Sequence, residues 1–159
     1  MKLLLVRFVS AAAIALAMQH PGFAADTPTT AAAPDKLSQA RGLIKDKKWV
    51  EAIDELKRVN DPASADWNNL MGYSLRKAKT PDLDGAERYY NEALRINSNH
   101  RGALEYSGEL YLIKGDLPTA EKRLAVLDKA CTFGCEEYTD LKKAIERYKA
   151  AGNKYVAAQ

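Results

Sequence analysis

His100-RGALEYSGELYLIKGDLPTAEKRLAVLDKA-130 decides the fold. Leu104, Ser107, Gly108 and Tyr111 recur at three- and four-residue steps, which places them on one side of a helix. The polar break Lys114-Gly115-Asp116 ends that pattern, and a second one runs through Leu117, Ala120, Leu124 and Leu127. Both patterns carry small residues where a helix face must approach a neighbour closely. The stretch therefore reads as two antiparallel helices joined by a short turn.

Moving outward, the same stretch repeats. Ala52, Ala86 and Ala120 are each 34 residues apart, as are Trp49, Leu83 and Leu117 just before them. Leu56, Tyr90 and Leu124 form a third row, and Val59, Ala93 and Leu127 a fourth. Upstream in each unit a small residue, Ala40, Gly72 or Gly108, is followed three positions later by Leu43, Leu75 or Tyr111. One helix hairpin cannot cover its own apolar face, so units with this period must stack on one another.

These rows resemble the tetratricopeptide repeat family, whose marked positions are matched by Leu104, Gly108, Tyr111, Gly115-Asp116, Ala120 and Leu127. The resemblance spans residues 35–131, in units of about 35–62, 65–98 and 101–131. The middle unit carries two extra residues at Lys79-Thr80-Pro81-Asp82. A further helix over 136–150 has Tyr138, Leu141, Ile145 and Tyr148 on one face and Lys142, Lys143, Glu146 and Arg147 on the other. It reads as the polar-faced cap that a terminal repeat requires. The expected fold is an all-α helix-turn-helix solenoid of three pairs and a cap, followed by a tail over 151–159.

The start of the chain reads differently. Lys2 and Arg7 precede the uncharged run Phe8 to Met18, Pro21-Gly22 breaks it, and Gly22-Phe23-Ala24 offers a cleavage site before Ala25. That is the layout of a secretory signal peptide over 1–24, and the run is too short for a membrane span. Residues 25–34 are a Pro/Thr/Ala-rich leader. Loss of Lys2 and Arg7 takes the formal net charge from +3 to +1, which gives no case for nucleic acid or an anionic membrane surface. The expected location is periplasmic or secreted.

Export bears on Cys131 and Cys135, the only cysteines, because disulfides persist outside the cytosol. They bracket Gly134, a helix terminator, between the third unit and the cap. A disulfide there would fix where the cap docks. The rival reading is a thiol–disulfide or copper-handling factor. Against it, no C-x-x-C motif is present, and His100 is the one histidine left after the signal. A single histidine also assembles no nucleophile–base–acid set. Paired carboxylates such as Glu136/Glu137 read as a solvated helix start. No enzyme, metal site or cofactor is expected.

The family resemblance implies a protein- or peptide-binding scaffold, with other envelope proteins or peptide segments as partners. It also implies that the first helix of each pair lines a concave groove. The positions that map there are Leu37, Arg41, Ile44 and Lys45 in the first unit. In the second they are Asp66, Asn69, Tyr73, Arg76 and Lys77, and in the third Glu105, Glu109 and Leu112. Arg41, Asn69 and Arg76 partly resemble the set with which some family members grip a terminal carboxylate. Arg76 is expected to stand exposed, meeting an acidic or C-terminal peptide and supporting no core.

Overall fold

The computed structural model describes residues 35–156; the expected signal peptide and leader over 1–34 and the last three residues of the tail fall outside them. Seven α-helices follow in order: α1 Ser38–Lys45, α2 Trp49–Val59, α3 Ala65–Lys77, α4 Leu83–Ile96, α5 Arg101–Ile113, α6 Leu117–Ala130 and α7 Glu136–Ala150. No strand interrupts them among the described residues. Each start has a local cause. Ser64, Asp82 and Asp116 accept the backbone N–H of Trp67, Gly85 and Thr119, satisfying donors that a helix's first turn leaves free.

The helices pair as α1/α2, α3/α4 and α5/α6, and the pairs stack in line. The backbones of the odd-numbered helices also approach one another, α1 to α3, α3 to α5 and α5 to α7, whereas α4 and α6 meet only through side chains such as Arg123 on Asn91 at 3.0 Å. The odd helices thus form the inner, closely spaced row of an all-α solenoid, with the even ones outside.

The small residues set these spacings. Ala40, Ala52, Ala86 and Ala120 are all fully buried. A Cβ on Gly72 would sit 2.8 Å from the Tyr90 ring and 3.1 Å from the Ala86 carbonyl oxygen. One on Gly108 would sit 2.6 Å from Leu141 Cδ2, so α7 docks where α5 has no side chain. The core runs the length of the stack in three clusters, centred on Leu56 and Trp67, on Ala86 and Tyr90, and on Leu127 and Leu141. The buried Trp67 Nε1 donates to the Leu56 carbonyl at 2.7 Å, tying α3 to the end of α2.

Cys131 and Cys135 form a disulfide with Cα atoms 5.6 Å apart, across the turn between α6 and α7. The Cys135 sulfur also faces the Tyr138 N–H at 3.4 Å, so the bridge stands at the start of the cap. Between the cysteines, Phe133 is fully exposed.

After α7 the chain reverses. Gly152 and Asn153 take φ of +68° and +62°, and their N–H groups donate to the carbonyls of Lys149 and Tyr148. This turn carries Tyr155 back toward the inner row, where it remains 39% exposed. Burial raises its pKa, with Glu109 and Arg76 among the charges close enough to act.

Candidate functional site

The inner row presents an aromatic ladder that crosses the repeats. Trp49, at the start of α2, meets Tyr73 of α3 edge-on at 5.9 Å between ring centroids, and Tyr73 meets Tyr106 of α5 at 4.5 Å. Such pairs contribute roughly 0.5–1.5 kcal/mol beyond the area they bury. Tyr73 and Tyr106 remain partly exposed, so the ladder is also surface.

Arg76 lies against that ladder. Its guanidinium carbon is 5.5 Å from the Tyr73 centroid and 5.7 Å from that of Tyr106, within cation–π range. Its Nη1 meets Glu109 Oε2 at 2.8 Å, and its side chain is only 4% exposed. The expectation of an exposed Arg76 is therefore corrected. Stacking of α5 on α3 brings Glu109 over it, and the pair is part of the packed interior. Two buried groups beside it, Arg76 Nε and Tyr90 Oη, have no hydrogen-bond partner of good geometry among the described residues, although the two side chains lie close to each other.

The other mapped residues fall into four situations. Arg41 is half-exposed and spent on its own structure, with Nη2 on Asp66 Oδ2 at 2.7 Å and Nε at 3.5 Å from Asp35. Asn69 is buried where α3 meets α5, beside Gly102, with Oδ1 unpartnered among the described residues. Lys45 and Lys77 are exposed. Leu37 and Leu112 are not groove residues: both are buried in core clusters, because the helices turn those positions toward their own partners. With Arg41 and Arg76 answered by carboxylates, the three-residue resemblance to a carboxylate grip loses its charge.

His100 joins the same network, a role the sequence did not announce. Its Nδ1 accepts the Ala103 N–H at 3.1 Å and so caps α5. The proton therefore sits on Nε2, which donates to Asp66 Oδ1 at 2.8 Å. Burial tends to raise the Asp66 pKa, but the His100 and Arg41 hydrogen bonds hold it below the ordinary carboxylate value. Both imidazole nitrogens and both cysteine sulfurs are thus committed to structural bonds.

At the opposite end the balance reverses. Glu105, one turn before Glu109 on α5, is 8% exposed and has no hydrogen bond or ion pair among the described residues. It lines a recess of about 190 Å³ with Tyr106 and with Glu136, Glu137 and Asp140 of α7. Burial pushes its pKa up to about 8, reinforced by Glu109, Asp140 and Glu137 and only partly opposed by Arg76.

No protein-family model matches the chain, and no curated protein matches its sequence. Among the described residues no helix is long and apolar enough to cross a membrane.

Proposed function

We propose that the chain is a non-catalytic scaffold of the bacterial cell envelope, similar to the tetratricopeptide repeat proteins, that holds a segment of a partner protein along its inner helix row. The carrying observation is the ladder Trp49–Tyr73–Tyr106, three aromatic rings from three successive helix pairs set side by side on one face. Rigid, partly exposed aromatic rings bury much area at small entropic cost, and they dominate recognition surfaces for that reason. The flanking polar groups, Lys45 and Lys77 toward one end and Glu105 toward the other, would set the direction of the bound segment. The disulfide supports an oxidising location, since such bridges persist there.

The test is capture from an envelope extract with the chain as bait. Tyr73→Ala should lower capture at least tenfold while the helical signal in circular dichroism persists. Lys142→Glu, on the exposed face of α7, should leave capture unchanged. Equal capture by wild type and Tyr73→Ala would move the interface off the inner row.

A further inference from the structure

We propose that the recess between α5 and the start of α7 receives one ammonium or guanidinium group, supplied by a lysine or arginine of the segment that lies along the inner row. The inference rests on the scaffold reading above and adds the chemistry of the partner to it.

Three observations converge. The first is Glu105 itself. A glutamate only 8% exposed overall is rarely left without a partner, because desolvation of an unmatched charge is costly; the Glu105 carboxylate keeps only the solvent contact that the recess allows. Glu105 nonetheless has no donor among the described residues and borders the recess. The second is the comparison one turn along the same helix. Glu109 faces the Arg76 guanidinium at 2.8 Å, and that guanidinium lies 5.7 Å from the ring of Tyr106. Tyr106 also lines the recess at Glu105. The protein thus already holds one guanidinium between a glutamate of α5 and an aromatic ring, and Glu105 repeats the carboxylate half of that arrangement. The third is size. About 190 Å³ is below the roughly 300–1,000 Å³ of pockets that take drug-sized ligands, and it suits the head of one side chain.

The charges facing the recess agree. Glu137 and Asp140 approach from α7 and Glu109 from α5, while Arg76 of α3 opposes them in part. The first turn of α7 keeps Glu136 and Glu137 in favourable contact with the helix dipole. A metal ion is the poorer occupant, since no group of three or more His, Cys, Asp or Glu side chains among the described residues is arranged to hold one. An arriving cation would draw the proton from Glu105 and ionise it, so binding near neutral pH should release a proton.

The experiment is an NMR titration of the full-length chain with N-acetyl-lysinamide and N-acetyl-argininamide as probes. N-acetyl-norleucinamide, putrescine and calcium chloride serve as comparisons. The expected result is saturable shifts at the amides of Tyr106, Glu137 and Asp140 with either charged amide and none with the norleucine compound. Affinity should fall at least tenfold in Glu105→Gln/Asp140→Asn, and calorimetry in two buffers should show proton release at pH 7. Shifts from norleucinamide as large as from lysinamide would overturn the proposal, using wild-type protein alone. So would undiminished binding in the double variant, or saturation by calcium but by neither charged amide. Putrescine binding tenfold tighter than lysinamide would overturn a peptide side chain as the source. Loss of capture is read separately at Tyr73, so either reading can fail while the other stands.

Discussion

The two ends of the inner row are built from the same helix geometry and reach opposite electrostatic states. At the α1–α3 end, Asp66 is met by Arg41 and His100, so its carboxylate is answered within the fold. At the α5–α7 end, Glu109 has Arg76, but Glu105 faces Glu137 and Asp140 with no cation paired to it among the described residues. The first end uses its polar groups to hold repeats in register. The second keeps a carboxylate that weakens the fold, and such a group is what a binding surface retains. Stacking positions the side chains; the residue choice at a few positions decides which end is finished and which needs a partner.

The sharpest way to break this comparison is to remove one arginine from each end. Arg76 is buried, so Arg76→Ala leaves Glu109 without its partner and should cost about 3–5 kcal/mol. Arg41 is 44% exposed, and Arg41→Ala should cost no more than about 1 kcal/mol. Denaturant unfolding measures both, and equal losses would mean that the two ends do not differ as described.

A smaller effect tests the seam that forms the acidic recess. Gly108→Ala drives a methyl into the Leu141 side chain, which is fully buried and must shift within a packed core. Overpacking of this kind costs about 1–3 kcal/mol. Amide exchange should speed up in α7 and stay unchanged in α1 and α2. The third test concerns the staple. Cys131→Ser/Cys135→Ser opens a loop of about five residues, for which the chain-entropy model gives roughly 2 kcal/mol. The loss should appear as a lower denaturant midpoint with α7 as the first helix to exchange. An unchanged midpoint would mean that the core alone docks the cap.

Much of the solenoid is legible in the residues because its seams obey short rules. Ala52, Ala86 and Ala120 share a spacing and a burial, since each meets a neighbouring helix at the same height. Cys131, Gly134 and Cys135 announce a bracketed turn, and the structure has the disulfide there. The inner row is harder to read because its bonds join residues a whole repeat apart. Arg76 and Glu109, like Tyr73 and Tyr106, are 33 positions apart, and neither pair lies within a window that periodicity examines. That shared offset is the signal that could have found them. Leu37 and Leu112 went to the groove by family position alone, and local packing turned them inward. Phe133 had no signal at all, being one exposed ring in a five-residue loop.

The central claim is that Glu105 is an unmatched buried carboxylate. The measurement that tests it most directly is thermal unfolding against pH for wild type and Glu105→Gln. With its folded pKa near 8 and an ordinary value near 4.5, Glu105 binds its proton more tightly in the folded state. Its contribution is therefore complete below about pH 4.5 and is lost as pH rises to about 8. Asp66 and Asp84 are shifted the other way, so their contributions change below that window, falling as pH falls. The account predicts that the wild-type melting temperature declines between pH 4.5 and 8 relative to the variant, with the gap constant above pH 8. Parallel curves across that range would contradict it.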